Sequence, residues 1–336
     1  LSVLVIAISL WKVSESKDVE AADSIDWQGA VLATFGLGGL TFGLISINSM
    51  HISVLLAWLS IGAGITLLAG FLWWERRAKA PMLPLHLFQS ATFSGANAVT
   101  LMLYAALGAV LFFIPLNLQQ VQNYTATQTG AAFLPFILLM SLLSRWVGGL
   151  TKDIGARLPL TVGPIIVAVG FLLLAWPGIG GSYWTTYFPG FLALGFGMSA
   201  SVAPLTTAVM AAVSDRFSGT ASGVNNAVSR VANLFAIALF GVIILLFFEQ
   251  SLQRNLAQSH LSAKQQSEIQ QRSEDLAEIK IPNTFTTSEQ QAADDAIDRS
   301  FLYSFRWIMY LCAVLAVLSS LIAWFTVDDE VVKAEE

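Results

Sequence analysis

The chain has 336 residues, of which 55% are hydrophobic and only 12% charged, with a formal net charge of −5. Soluble domains carry roughly a quarter charged residues, and no Asp, Glu, Lys or Arg occurs in 27–74, 80–144 or 158–214. Runs of that length exclude a soluble globular fold, whose surface needs polar cover, and the single Cys312 excludes a disulfide framework or a cysteine metal site.

Taken in chain order, hydropathy predicts one partial span, 1–11, and eight full spans at 28–47, 52–74, 91–116, 130–148, 159–177, 186–210, 220–247 and 303–326. A helix needs about 20 apolar residues to cross a bilayer. The strands of a membrane β-barrel would instead be about 10 residues long and alternate apolar with polar. The expected fold is therefore all-α, a polytopic membrane helical bundle. The chain opens with Leu1 inside an apolar run that has no basic leader or small-residue cleavage site, so a piece of a longer protein is expected, with its N-terminal part preceding residue 1.

Orientation follows from the basic residues. Connections on one side hold Lys12, Lys17, Arg76, Arg77, Lys79, Lys152, Arg157 and Arg216. The short connections on the other side, 48–51, 119–128 and 177–183, hold none. The positive-inside rule makes the first side cytoplasmic and places the C-terminus there too. The stretch 249–300 then lies outside with five basic and nine acidic residues. Leu252, Leu256, Ile269, Leu276 and Ile279 give it a loose helical pattern, which reads as a partly helical solvated loop or as a surface for a partner.

Small and breaking residues punctuate the spans. Gly39 with Gly43 and Gly219 with Gly223 form GxxxG pairs that let helix backbones approach. Pro135, Pro164, Pro189 and Pro204 are expected to interrupt helices. After the fourth full span comes Gly148-Gly149-Leu150-Thr151-Lys152-Asp153-Ile154-Gly155-Ala156-Arg157. Its glycines permit a tight turn, Asp153 favours the positive end of the next helix, and Arg157 can pair with an acid on a neighbouring loop.

That segment resembles the loop signature of the major facilitator superfamily, G-x-L-a-D-r-x-G-r-R, with the order of acid and base exchanged at Lys152 and Asp153. Other runs are similar to the family's 14-span drug/proton antiporters. They are 13–18 after the first span, Asp26-Trp27-Gln28-Gly29-Ala30, Pro115-Leu116-Asn117-Leu118-Gln119-Gln120, 203–208, and Gly219-Thr220-Ala221-Ser222-Gly223-Val224-Asn225-Asn226 with Arg230 following. The resemblance implies a division of the chain. Residues 1–11 would end an N-terminal half-bundle, 12–27 and 75–90 would be cytoplasmic linkers, and 28–74 would be two extra spans. A C-terminal six-helix half would occupy 91–326, followed by a cytoplasmic tail at 327–336. It also implies a secondary transporter in a bacterial inner membrane, exporting small amphipathic compounds by alternating access with protons as coupling ion. A periplasmic adaptor is a further candidate partner; no cofactor, metal or nucleic acid is expected.

Charge inside a bilayer is costly and usually functional. Arg230 sits well inside a span, with Asn226 four residues before it and Asn233 three after, so the three share a helix face. That face is expected to line a cavity or an inter-half contact, or to pair with a carbonyl or an acid of the other half. Asn225, Asn97 and Asn117 join Arg230, Asn226 and Asn233 as substrate or cavity candidates. Gly149, Lys152, Asp153, Gly155 and Arg157 are the signature-loop candidates. Arg145 with Trp146, and Trp73, Trp74 and Trp307, read as interfacial residues. His51 and His86 lack a nearby carboxylate in sequence, and no span holds an Asp or Glu away from its ends; the resemblance implies that the groups that carry protons lie in the N-terminal half. An intramembrane enzyme would need a metal or nucleophile constellation, and no HExxH, paired-histidine or P-loop motif is present. Export of a siderophore, lipid or amino acid, and an inactive transporter fragment, remain alternative readings.

Overall fold

The computed structural model describes residue 11 and residues 26–46, 53–78 and 81–329, with the backbone alone for Lys152 and Asp153. The 1–10 run, the 13–18 run, His51 and the tail beyond 329 lie outside the described residues. Every regular element described is helical. They are α1 (Trp27–Ser46), α2 (Val54–Glu75), α3 (Ala91–Leu116), α4 (Ala126–Ala132), α5 (Leu134–Ile154), α6 (Arg157–Ala175), α7 (Tyr183–Thr186), α8 (Phe188–Ala211), α9 (Ser218–Ala257), α10 (Ala263–Gln270) and α11 (Thr287–Thr326). Eight of these, joined with their short helical extensions, are long and apolar enough to cross a bilayer.

The helix α3 is the hub. It packs against α8, α9 and α11, while α6 wedges between α8 and α11, and α5 rests on α8. Phe93, Ala96, Val99, Leu103, Ala106, Val110 and Phe113 of α3 are buried around much of its circumference. Helix α5 is the opposite case, with 11% of its spanning window buried. Its Ile137, Leu138, Leu142 and Trp146 point outward. In water such a surface would be a large exposed apolar patch; against lipid it is ordinary. Helices α1 and α2 form a hairpin that touches the bundle through α1 and α9.

Close approach depends on glycine. A Cβ on Gly64 of α2 would stand 2.5 Å from the Leu40 backbone nitrogen and 2.9 Å from the Gly36 carbonyl oxygen of α1. A Cβ on Gly197 of α8 would stand 2.6 Å from the Val167 nitrogen and 2.7 Å from the Gly163 oxygen of α6. Of the two GxxxG pairs, Gly39 and Gly43 face α2 as expected. Gly219 and Gly223 do not meet another helix: nothing lies within 4 Å of a Cβ at either. They open a face of α9 instead of closing a contact.

The prolines divide by position. Pro135 and Pro189 sit in the first turns of α5 and α8, where a missing N–H is harmless, just after the breaks at Phe133 and Tyr187 that divide these helices from α4 and α7. Pro164 and Pro204 lie within α6 and α8. Pro115, absent from the sequence-based set, lies within α3, and a wide π turn at Asn117–Val121 follows it. The turn absorbs the backbone register that the proline breaks.

The 249–300 stretch is a packed cap. A helix rises 1.5 Å per residue, so α9 and α11, at 40 residues each, are about twice as long as 30 Å of hydrocarbon requires. Their surplus projects past one end of the bundle, where α10 and a short helical turn at Ser273–Glu278 join them. Leu252, Leu256, Ile269 and Ile279 are buried with Ile297 and Phe301 in the same cluster as the bundle core. Asn255 donates to the Ser300 hydroxyl at 2.8 Å, and the Ser273 hydroxyl donates to Glu249 at 3.0 Å. Capping boxes at Ser262/Gln265 and Thr286/Glu289 start α10 and α11. The solvated-loop expectation misses this core because its partners are distant in sequence.

Two measurements test this packing. Gly64→Ala should lower stability by about 1–3 kcal/mol through overpacking, seen as reduced thermal stability in detergent, whereas Gly62→Ala, with nothing within 4 Å, should not. In the cap, Glu278, Asp294 and Asp298 line a cavity of about 560 Å³ with Lys280 and Gln120. Burial, then the Asp294 and Asp295 carboxylates, push the Asp298 carboxyl up to about 6 from 3.8. This part of α11 precedes its apolar run. A carboxyl raised on folding favours the folded state as it takes up a proton, so the cap gains stability as pH falls through about 6 and loses it as pH rises. Amide protection in 249–300, corrected for intrinsic exchange, should be higher at about pH 5 than at about pH 7.5, and Asp298→Asn should flatten that dependence.

Candidate functional site

Helix α9 carries two polar faces at the end opposite the cap. Neighbouring residues on a helix point about 100° apart, so Asn225 and Asn226 part company. Asn225 turns to α3, where its Nδ2 donates to the Thr100 hydroxyl at 2.6 Å and to the Asn97 Oδ1 at 3.3 Å. Asn97 is buried and its own Nδ2 donates to the Phe93 carbonyl at 2.9 Å. This triad is an interhelical polar clasp. Asn233 also meets α3, against Gly108: a Cβ there would be 2.5 Å from the Asn233 Oδ1.

Asn226 and Arg230 are exposed. Asn226 donates back to the Ser222 carbonyl of its own helix at 3.0 Å. With Gly219 and Gly223 they make one stripe at i, i+4, i+7 and i+11, unfilled among the described residues. Phe235, Leu239, Val242 and Leu246, also exposed, lie about 180° around the helix. One helix thus offers a polar open face at one end and an apolar open face at the other.

Asn117 is apart from these residues. It lies in the π turn after α3, fully buried, and its Oδ1 accepts from the Tyr187 hydroxyl at 2.7 Å while its Nδ2 has no partner among the described residues. Nearby, Gln122 clamps the connection after α6: it donates to the Gly178 carbonyl at 3.0 Å and accepts from the Gly180 amide at 2.7 Å. Arg306 of α11 donates to the Ala175 and Pro177 carbonyls at 3.1 Å each, a favourable use of a cation at a helix C-terminus.

Most of the signature segment is the end of α5: 148–154 is helical, so Asp153 lies in the last turn of α5 and not ahead of α6, and only Gly155 and Ala156 turn the chain into α6. Gly155 has φ 83° and ψ 172°, a region open essentially to glycine alone. Among the described residues, the Arg157 guanidinium meets the end of α11 and not an acid. Arg157 Nε donates to the Trp324 carbonyl at 2.9 Å, and its guanidinium lies 4.4 Å from the Trp324 ring centroid. Its backbone amide instead donates to the Asp329 carboxylate at 2.9 Å, and that carboxylate packs against Gly155. Asp329 therefore caps α6 from the far end of the chain. Thr92 reinforces the join, with its hydroxyl donating to the Thr326 carbonyl at 3.3 Å and accepting from the Asp328 amide at 3.2 Å. Gly149 stands open, and the Lys152 and Asp153 side chains lie outside what is described.

Asp329, Thr100, Tyr187 and Arg306 were not singled out from sequence. Nothing local marks them; each acts on a residue far away in the chain. Trp74, read as an interfacial anchor, has a specific partner, donating from Nε1 to Asp26 Oδ1 at 2.9 Å. His86 sets its ring edge-on to Phe217, with centroids 5.4 Å apart.

Residues 26–237 match the model of the Major Facilitator Superfamily. The chain belongs to that superfamily. It is 28% identical over 261 residues to the multidrug resistance protein Stp of Mycobacterium tuberculosis, a match covering 76% of this chain and 47% of Stp. It is 28% identical over 240 residues to the lincomycin resistance protein of Streptomyces lincolnensis, covering 71% of this chain and 49% of that protein. The tetracenomycin C resistance and export protein of Streptomyces glaucescens matches at 24% over 328 residues, 94% of this chain and 59% of the relative. The chain spans about half the length of the first two relatives. Among solved structures, a bacterial homolog of the human lysosomal transporter Spinster, inward-facing and unoccupied, superposes with a TM-score of 0.51 at 15% identity, covering 90% of this chain and 68% of that one. That likeness shows the fold. The protein is thus a multi-pass membrane protein of a transporter family, not of an enzyme family.

The Gly155–Asp329 join makes a testable pair. Gly155→Ala should cost about 1–3 kcal/mol from its backbone region alone, and Asp329→Ala about 1 kcal/mol from the lost cap. Because both act on one contact, their effects on thermal stability should fall short of additive in a double-mutant cycle.

Proposed function

We propose that the protein is a proton-coupled exporter of small amphipathic compounds that works by alternating access. The observation that carries this reading is the open polar stripe of α9, Gly219, Gly223, Asn226 and Arg230, on a bundle whose relatives are named for drug resistance and export. A charged side chain on a spanning helix belongs against a cavity or another part of the protein. A second bundle of the same family type would cover this stripe and enclose the cavity. In this reading Arg230 and Asn226 face the substrate path. Asn225, Asn97 and Asn233 hold α9 against α3 at a fixed rotation so that the stripe points there, and Asn117 with Tyr187 steadies the other end of α3.

The same reading places the end that carries Asp329 in the cytoplasm, on the basic-residue count, and the cap outside, where a periplasmic adaptor would reach it. Gly149, Lys152, Asp153, Gly155 and Arg157 then form a cytoplasmic latch that Asp329 fastens. Rocking of one bundle against another would load and release this turn.

Efflux of a fluorescent cation from energised cells tests the proposal. Export above the vector control, abolished by a protonophore, is expected. Arg230→Ala should lower that efflux by roughly tenfold, the scale of one lost charged contact, with membrane expression unchanged. Unaltered efflux in the variant removes Arg230 from the path, and protonophore-insensitive efflux removes the proton.

A further inference from the structure

At the base of the α1–α2 hairpin two carboxyl groups meet in a way that transport by α9 does not use. Asp26 precedes α1 and Glu75 ends α2. The outer oxygens are satisfied. Asp26 Oδ1 accepts from the Gly29 amide at 2.8 Å and from Trp74 Nε1 at 2.9 Å. Glu75 Oε2 accepts from the Leu83 amide at 3.1 Å. The inner oxygens, Asp26 Oδ2 and Glu75 Oε1, are buried with no hydrogen-bond partner among the described residues. Both crowd the same side of Gly29, within 2.9 Å of where a Cβ would stand, which brings the two carboxyls side by side. Glu75 as a whole is 3% exposed.

Two ionised carboxylates offer only acceptors. Facing one another out of water they repel, and each inner oxygen forfeits the donors that hydration would supply. One proton on either inner oxygen turns that clash into a short, charge-assisted O–H···O contact, stronger than a neutral hydrogen bond. We propose that Asp26 and Glu75 form a proton-binding site that holds one proton between Asp26 Oδ2 and Glu75 Oε1. The proton fastens the ends of α1 and α2 together and, through the Leu83 amide, fastens the segment leading into α3 to the hairpin.

The surroundings favour a proton over a metal ion. Calcium takes six to eight oxygens and magnesium six, whereas three outer contacts here are N–H donors, and no group of three or more metal-ligating side chains occurs among the described residues. Helix α1 contributes no titratable group between Trp27 and Ser46. On the α2 side the next charges are Arg76 and Arg77, and Arg77 lies over the Trp73 ring, 4.1 Å from its centroid. From the 81–90 segment the Leu83 backbone amide reaches Glu75, while His86 faces Phe217. Among the described residues of α9, which packs on α1, Arg230, Glu249 and Arg254 are the charges, and none pairs with either carboxyl. Gly29 is the residue that leaves room for both inner oxygens.

Infrared spectroscopy of the purified chain in nanodiscs reads this site directly. The wild type should show the C=O stretch of a protonated carboxyl at about pH 7.5, where an ordinary carboxylate is ionised. The isosteric variants Asp26→Asn and Glu75→Gln should each remove that band, because an amide N–H then takes the place of the shared proton. Hydrogen exchange supplies a second reading. Amides in 81–90 should stay protected in Glu75→Gln and exchange at least about tenfold faster in Glu75→Ala, which cannot accept from Leu83. A wild type without the band at neutral pH overturns the proposal whatever the variants do. So does a band that survives in both carboxamide variants, or a band that is absent until calcium is removed.

Discussion

Helices that meet inside hydrocarbon gain little from shielding one another, because lipid tails are as apolar as their own side chains. What holds them is contact close enough for backbone to touch backbone, together with polar groups that find partners inside the bundle. Gly64 against Leu40 and Gly36, and Gly197 against Val167 and Gly163, are contacts of the first kind. Asn225 with Thr100 and Asn97 is of the second. On α9 it is the second kind that acts: Asn225, together with Asn233 packed on Gly108, holds the helix at a fixed rotation on α3. The direction in which Asn226 and Arg230 point is a consequence of that rotation, so the candidate path is set by packing on a neighbouring face of the same helix.

The spans were legible in sequence because a bilayer imposes a one-dimensional rule: charge leaves the chain for about as long as the hydrocarbon is thick. The ends were less legible. Helices α9 and α11 continue well past their apolar runs, since nothing stops a helix in water when its inner face has a cap core to pack on. Leu252, Leu256 and Ile269 were visible as a weak period, but Ile297 and Phe301, which complete their core, lie across the whole loop. The glycine pairs show the same limit. Gly39 with Gly43 and Gly219 with Gly223 have the same spacing, yet only the first pair meets a helix. Spacing reports that a backbone can be approached, and only the fold decides whether anything approaches it.

The polar candidates divided along helix geometry. Asn225 and Asn226 are adjacent in sequence and serve different faces. The signature turn was recognised from its glycines, while Asp329, which caps it, was not, because the two are 172 positions apart. Glu75 was hidden for another reason. In Trp73-Trp74-Glu75-Arg76-Arg77 it reads as one more polar residue at a membrane surface, and only the fold brings it to Asp26 and buries it. The ends of the hairpin, the α5–α6 turn and the chain's last described residues are all fastened by carboxylates that accept from backbone amides.

The account turns on the open stripe of α9 facing a water-filled path while its opposite face meets lipid. Single cysteines placed along the helix measure this, and the native Cys312 is fully buried, which leaves a quiet background. Gly223→Cys, Asn226→Cys and Arg230→Cys should react with a membrane-impermeant thiol reagent in native membranes, and Leu239→Cys and Val242→Cys should not. Equal protection of all five, or labelling of the apolar face alone, would contradict the account.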